Sequence, residues 1–446
     1  MILDDEVCHR QKVAHLVFSI WTSNGTNDAG LAEPLLLSNK LEALGQYVMM
    51  MDEETVDEDV GSINVVSAKD LSYSHFVENY MAPNQPVIIT GLTEEWVINK
   101  EWLKFQNDKL VPDMSHLKEN FGHETVSVHK QINAGFTTER PLPEDMTVSE
   151  YCEWWSSQDE RESECEGESE LWYLKDWKFV SAHPKTQLYE WPLWFRQDWL
   201  NEYMSDAYRF VYLGPAGTCT RLHADVLGSY SWSTNICGQK IWYLLPPQNT
   251  YLLGDCFGRL KLASNLDYKS VLYPGLSRAR KLAIKIVQNA GETLFVPSGW
   301  YHTVENTQPT LSVNHNWINE YNIVHCWRKI RKELMEVLSQ SVDRGASLEF
   351  IQSVNSQQKT TSQIGDDLQL LWIIVSKKAV ETLESASPVN MCNNHRIFDS
   401  LLFIFKDLEE IIVQENVALT RLQLHECCGS LEEIKELIQH INEFCT

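Results

Sequence analysis

The sequence predicts a mainly β core, an antiparallel sandwich or barrel, with flanking helices and a C-terminal helical bundle. Between residues 208 and 317, short β-branched and aromatic segments alternate with Gly, Pro and Asn, which is typical of such sheets. After about residue 320 the apolar residues recur instead at spacings of three and four, the helical period. The chain has 446 residues, 43% of them hydrophobic and 22% charged, as expected of a globular protein with a large core.

The first 62 residues are predicted to be a poorly ordered acidic segment, with an acidic run at 52–59. The start of the chain lacks the basic and apolar blocks of a signal peptide. The most apolar stretch, 368–375, is too short to span a bilayer. By elimination we expect a protein of the cytoplasm or the nucleus without a membrane partner.

A β domain is predicted over residues 63–320. Pro86–Thr90, closed by Gly91, and the aromatic-rich Leu171–Phe179 are its first strand candidates. Residues 158–170 are polar and acidic and predict a mobile surface loop. The stretch 246–281 is long enough to be an insertion between strands. The later strands are predicted at Tyr208–Gly214, Cys219–His223, Ser231–Cys237, Gln239–Leu245, Leu282–Gln288, Glu292–Val296 and Thr310–Trp317.

Residues 321–446 are predicted to form the helical region. The segments 366–386 and 396–413 have helical patterns, and Ser430 with Glu433 forms a capping box that opens a last helix. The first helix is predicted from an apolar stripe made of Ile323, Trp327, Ile330, Leu334 and Val337.

The charge and the cysteine content restrict which classes of partner and metal site the chain can have. A formal net charge of -25 and a pI of about 4.9 give no basic footprint for nucleic acid. The charge would attract basic proteins, although it could equally serve only solubility. Eleven cysteines without any C-x-x-C spacing argue against a Cys-rich zinc site and favour a reducing compartment. The sequence does not decide the oligomeric state.

His223, Asp225 and His302 are the candidate metal ligands. His223 and Asp225 lie two residues apart at the end of a predicted strand, so their side chains point to one face. Two histidines and one carboxylate on one face form the triad of non-haem Fe(II) oxygenases, which leaves positions open for a 2-oxo acid and O2. The H-x-[DE] spacing alone is weak, because about two chance matches are expected from 14 His and 62 acidic residues.

Lys240 strengthens this interpretation. It lies on a mostly apolar predicted strand, where a buried ammonium group needs an anionic partner. The C5 carboxylate of 2-oxoglutarate would be such a partner. The alternative is a lysine that faces solvent on an edge strand.

Four segments together resemble the JmjC hydroxylase family: 212–225 (YLGPAGTCTRLHAD), 238–242 (GQKIW), 296–302 (VPSGWYH) and 311–317 (LSVNHNW). Their order and spacing are specific, and Pro86–Gly91 resembles the family's N-terminal strand. The resemblance covers roughly residues 63–330. It implies a double-stranded β-helix, that is a jelly-roll or cupin-like core, which binds Fe(II) and uses 2-oxoglutarate and O2, with ascorbate as the reductant in vitro.

Residue by residue, the resemblance implies that His223, Asp225 and His302 bind the iron. It further implies that four residues bind 2-oxoglutarate: Lys240, Thr220, Tyr173 and Asn314. Tyr173 could instead be a core tyrosine, and Asn314 a strand asparagine satisfied by the backbone. Ser233 stands where some relatives have an asparagine, which leaves the contacts of the C1 carboxylate open.

The family resemblance implies a protein hydroxylase. The member that this chain most resembles acts on a lysine of the eukaryotic translation termination (release) factor, and its activity supports termination. Two alternatives remain open from the sequence: a JmjC histone N-methyl-lysine demethylase and a non-enzymatic cupin-like scaffold. The chain shows no paired C-x-x-C motifs of a histone-reading zinc module, which disfavours the demethylase.

Overall fold

The computed structural model describes residues 62–132, 143–161, 170–255, 265–267, 272–344, 361–385, 391–424 and 426–445. Almost all of the predicted acidic segment 1–62 therefore lies outside the described residues. The described residues divide into two compact units, one within 248–282 and the other within 62–247 and 283–445.

The larger unit contains all of the strands that occur in the described residues. They are β1 Asn64–Ser67, β2 Val87–Thr90, β3 Leu103–Gln106, β4 Lys109–Pro112, β5 Thr125–Ile132, β6 Glu144–Thr147, β7 Glu170–Trp177, β8 Arg209–Gly214, β9 Cys219–His223, β10 Tyr230–Cys237, β11 Gln239–Leu245, β12 Ile284–Asn289, β13 Thr293–Val296, β14 Tyr301–Asn306 and β15 Thr310–Trp317.

Two sheets face each other, which confirms the predicted jelly-roll type of core. In the described residues the large sheet has nine strands in the order β1-β2-β13-β10-β15-β8-β7-β5-β6, and the small sheet has four in the order β12-β11-β14-β9. All neighbouring strands in both sheets are antiparallel except β1 and β2. A cluster of buried residues joins Trp242 and Leu244 of the small sheet to Leu294 and Val296 of the large one.

Gly238 carries the chain from the large sheet to the small one. Its φ is +76°, and a Cβ at this position would lie 2.1 Å from the carbonyl oxygen of Pro309. Only glycine fits such a left-handed, crowded corner. The turn thereby fixes where β11, and with it Lys240, begins.

The structure corrects several predicted boundaries. β14 was not predicted as a strand, and β7 ends at Trp177, after which Phe179 begins a short helix. The predicted loop 158–170 begins too early, because a helix continues to Arg161 and β7 starts at Glu170. The pattern of β14 is short and has the polar residues His302, Thr303 and Asn306 at buried positions, which masks the strand signal.

The described helices occur between the strands in the sequence and after β15. They are α1 Tyr73–Phe76, α2 Val97–Glu101, α3 Met114–Phe121, α4 Val148–Arg161, α5 Phe179–Ala182, α6 Trp199–Tyr203, α7 Leu276–Leu282, α8 Ile323–Arg344, α9 Thr361–Glu384, α10 Met391–Arg421 and α11 Leu431–Cys445, together with 3-10 turns at Leu193–Phe195, Val226–Gly228 and Pro247–Leu253 and a π-helical turn at Val77–Met81. The turn at 247–253 and α7 lie in the stretch predicted as an insertion.

The C-terminal helices are confirmed as an apolar bundle. The stripe that predicted α8 is buried along its whole length. The capping box also forms, since the Ser430 N–H donates to Glu433 Oε2 (2.7 Å) and the Glu433 N–H donates to Ser430 Oγ (3.2 Å). The bundle's core includes Trp199, Leu227 and Ile318 from the β domain, so these helices pack on it. No helix in the described ranges is long and apolar enough to cross a membrane.

Candidate metal centre

His223 and His302 lie side by side in the small sheet. They are register partners on the adjacent strands β9 and β14, and their ring centroids are 4.2 Å apart. Asp225 follows β9 at the start of the 3-10 turn. One ligand atom from each of the three side chains lies within 4.8 Å of the others. The arrangement offers two imidazoles and one carboxylate to a single ion.

Hydrogen bonds fix which imidazole nitrogen each histidine offers. His223 Nδ1 lies 2.7 Å from the Arg221 carbonyl oxygen, and His302 Nδ1 lies 3.0 Å from that of Trp300. A carbonyl accepts only, so Nδ1 carries the proton and Nε2 is left for a metal. Burial, together with the neighbouring His302, holds the pKa of His223 well below its usual range, so its imidazole is neutral.

Asp225 is held from two sides. Ser231 Oγ donates a 2.7 Å hydrogen bond to Asp225 Oδ2, which leaves Oδ1 for a metal. The turn after Asp225 contains Leu227, whose φ of +57° is unusual for a branched side chain. Leu227 is buried in the C-terminal bundle's core, and Cys326 Sγ of α8 donates to the Gly228 carbonyl oxygen at 3.5 Å. Helix α8 therefore supports the turn that carries Asp225.

Lys240 is buried, with 1% of its surface exposed. It lies on β11, between β12 and β14, so the alternative of a solvent-facing lysine on an edge strand is wrong. Its ammonium donates to Ser312 Oγ at 2.7 Å, and no described carboxylate forms an ion pair with it. Burial lowers the pKa of Lys240 to about 7, and repulsion from Lys175 adds to the effect.

Lys240 and the histidines share the inner face of the small sheet. Lys240 pairs with Asn306, which follows His302 by four residues on β14, and residues that far apart point to the same side. Four residues of strand cover about 13 Å. This separation along the sheet is one that a lysine side chain and a short dicarboxylate together can span.

Tyr173 and Thr220 meet near Asn306. Tyr173 is buried, and the side chains of Asn306 and Thr220 lie near enough to its hydroxyl to lower its pKa, against the larger opposite effect of burial. Burial raises the pKa of Tyr173, so the phenol stays protonated and can donate. The structure thus places both residues in the barrel interior.

Asn314 lies opposite Ser233 on β15 and β10. Asn314 Oδ1 and Ser233 Oγ are buried, and neither has a hydrogen-bond partner among the described residues. Two such atoms side by side indicate a place for a polar ligand. Together with the Lys240 ammonium, which has no carboxylate partner among the described residues, they fit 2-oxoglutarate, and the triad's donor set fits Fe(II).

The sequence did not identify Ser231, Ser312 or Asn306 as site residues. The available signal was the alternation of Ser and Asn with apolar residues on β10 and β15. Both strands are buried on both faces. Polar residues at every second position of such strands indicate a polar interior.

Residues 73–323, more than half of the chain, match the family described as a cupin-like domain. The chain belongs to the cupin-like JmjC-domain family. The predicted resemblance is therefore confirmed.

Named relatives of this JmjC-domain protein differ in what they are said to do. The Arabidopsis thaliana "Arginine-specific demethylase JMJ20" is 37% identical over 294 residues, which cover 61% of each chain. The Gallus gallus "2-oxoglutarate and iron-dependent oxygenase JMJD4" is 38% identical over 275 residues, 60% of this chain and 62% of the relative. The Drosophila melanogaster JMJD4 homolog is 29% identical over 397 residues, 81% of this chain and 90% of the relative. This chain thus spans less than two thirds of the first two relatives.

Proposed function

We propose that this JmjC-domain protein is an Fe(II)- and 2-oxoglutarate-dependent oxygenase that hydroxylates a protein side chain. The observation that carries the proposal is that the His223–Asp225–His302 cluster shares one inner face with Lys240, which is buried and has no carboxylate partner among the described residues. The naming of several relatives as 2-oxoglutarate and iron-dependent oxygenases supports it.

The chain's own residues have distinct tasks in this proposal. His223, Asp225 and His302 hold the iron, and Lys240 holds the C5 carboxylate of 2-oxoglutarate, with Thr220 and Tyr173 beside it. Asn314 faces the same cavity. When bound, Fe(II) and 2-oxoglutarate supply the oxidative chemistry: O2 converts 2-oxoglutarate to succinate and CO2, and the second oxygen atom enters a substrate C–H bond. The protein binds and orients the iron, 2-oxoglutarate and the substrate, and it excludes water from them.

For the substrate, we propose a lysine of the eukaryotic translation termination factor, as the family resemblance implies. The net charge of -25 supports a basic partner. Such a substrate would place the protein in the cytoplasm.

Demethylation is the second candidate, because JMJ20 is named an arginine-specific demethylase. Removal of an N-methyl group can begin with hydroxylation of that methyl carbon, so it needs the same iron site. The scaffold alternative gains no support from the interior, because a scaffold has no use for an unpaired buried ammonium.

The experiment that tests the proposal is mass spectrometry of the termination factor after incubation with the protein, Fe(II), 2-oxoglutarate and ascorbate. The matched variants are His223→Ala and His440→Ala, the second an exposed histidine of α11. We expect one added oxygen on a lysine with wild type and His440→Ala, and none with His223→Ala.

The other outcomes separate the alternatives. Slow succinate formation without modification of the factor would keep the oxygenase and discard this substrate, and methylated arginine and lysine peptides would be tested next. Formation of product by His223→Ala would contradict the ligand assignment. Absence of both succinate and product would favour the scaffold.

A further inference from the structure

Strand β7 contains a bulge at the mouth of the barrel. Leu174 pairs with Leu213 and Trp177 with Val211, so three steps along β7 match two along β8. Within the bulge Asp176 has a φ of +57°. A non-glycine residue in this conformation costs about 1 kcal/mol or more and is often retained where it aims a side chain.

The bulge holds the Asp176 carboxylate against Tyr212. The Tyr212 hydroxyl donates to Asp176 Oδ1 at 2.6 Å, while the Asp176 side chain is exposed to solvent. Tyr212 is the register partner of Ser312, and register partners point to the same side of a sheet. Tyr212 therefore extends from the interior, where Ser312 meets Lys240, to the carboxylate at the mouth.

The adjacent residue points inward. Lys175 Nζ lies 5.6 Å from the ring centroid of Tyr173 and 5.7 Å from that of Tyr212. The wall beside Asp176 thus already contains the cationic side chain of Lys175, and a metal would add to its charge.

A cationic substrate side chain would be repelled at this mouth unless a carboxylate met it. Asp176 is placed for that task, because it is oriented by a short hydrogen bond, open to solvent and adjacent to the wall of the cavity. Tyr212 and Tyr173 pack edge to face with centroids 6.1 Å apart, so the wall is aromatic and can accept the apolar stem of a long side chain.

We propose that Asp176, oriented by Tyr212, forms an ion pair with the cationic side chain of the protein substrate. The ligand class is a lysine ammonium or an N-methylated guanidinium or ammonium group. This inference rests on the proposed oxygenase function and adds the substrate class and its recognition residue.

The test compares Asp176→Asn with Asp108→Asn in the full chain with Fe(II). Asparagine tolerates the left-handed backbone and still accepts from Tyr212, so only the charge is lost. Asp108 is a matched control, an exposed aspartate with φ +58° in the β3–β4 hairpin. The probes are the intact termination factor and a dimethylarginine histone peptide, and the readout is probe-stimulated succinate formation.

We expect Asp176→Asn to raise the KM for the active probe roughly tenfold or more relative to the KM for 2-oxoglutarate. We also expect the wild-type KM to rise with salt more steeply than that of Asp176→Asn. The probe that is active identifies the source of the cation. An unchanged KM ratio in Asp176→Asn, or a ratio changed equally in Asp108→Asn, would overturn the assignment. Uncoupled succinate formation that neither probe stimulates would overturn it while leaving the oxygenase intact, whereas no succinate at all would refute the proposed function itself.

Discussion

Lys240 joins the two sheets by donating a 2.7 Å hydrogen bond to Ser312 Oγ in the barrel interior. A serine hydroxyl satisfies one of the three N–H groups of the ammonium and none of its charge. Burying this ammonium without an anion costs free energy, so the ligand-free barrel is less stable than it would be with an apolar side chain at position 240.

The first prediction concerns Lys240→Met. The variant should raise the KM for 2-oxoglutarate by roughly 10- to 100-fold, because it loses a charge-assisted hydrogen bond of about 1.5–3 kcal/mol. It should also be at least as stable as wild type without ligand, since an unpaired buried charge is removed. Steady-state kinetics and chemical denaturation measure the two effects.

Lys285→Met is the matched control, because Lys285 lies on the neighbouring strand β12 and is exposed. Lys285→Met should change neither the KM for 2-oxoglutarate nor the stability of the ligand-free protein. An unaltered 2-oxoglutarate requirement in Lys240→Met would remove Lys240 from the cosubstrate site.

The second prediction concerns Ser231→Ala. Because Ser231 Oγ orients the Asp225 carboxylate, its loss should weaken metal binding about 10- to 100-fold. Ser233→Ala, two residues further on the same face, should leave metal affinity unchanged because Ser233 does not contact Asp225. Anaerobic Co(II) titration gives both affinities. Equal losses in the two variants would indicate a general effect on β10 rather than loss of the Asp225 hydrogen bond.

The sequence predicted the ligand cluster and Lys240 because those residue types are rare at such positions and carry strong chemical constraints. Their geometry follows from pairing between strands that are distant in sequence. The register of His223 with His302 depends on β14, a strand whose alternation was too weak to predict. Whether these side chains hold iron and 2-oxoglutarate stays a prediction.

The helical bundle shows the opposite case. The stripe on α8 and the capping box at Ser430 are local signals, and both were predicted correctly. What the sequence could not show is that Leu227, beside Asp225, inserts into that bundle. A single leucine in a turn carries no periodic pattern, and the hydrogen bond that ties this turn to the bundle joins Gly228 and Cys326, which are 98 residues apart in the sequence.

The third prediction concerns the corner at Gly238. Gly238→Ala and Gly91→Ala both place a Cβ on a residue with a φ near +77°. Gly91 has nothing within 4 Å, whereas Gly238 would meet the Pro309 carbonyl oxygen at 2.1 Å. Gly91→Ala should cost about 1–2 kcal/mol of unfolding free energy from backbone strain, and Gly238→Ala about 1–3 kcal/mol more from the clash. Similar denaturation midpoints for the two variants would contradict the assigned corner.

The last prediction is a pH dependence that belongs to Lys240. Its pKa is about 7 in the folded chain, below the ordinary value of 10.5, so between these values the unfolded chain binds the extra proton. Stability therefore rises with pH through that window, and the destabilisation is fully present below pH 7.

Binding of 2-oxoglutarate depends on the same group, because the dianion favours the charged ammonium. Above pH 7 the protein should therefore take up a proton when 2-oxoglutarate binds, and the affinity for 2-oxoglutarate should fall by up to about tenfold per pH unit. Calorimetric titrations in buffers of different ionisation enthalpy measure that proton. Other groups also titrate in this range, so the quantity to compare is the difference between wild type and Lys240→Met. Identical pH profiles in the two proteins would show that Lys240 does not titrate there, and the unpaired buried cation would then need another source of stabilisation.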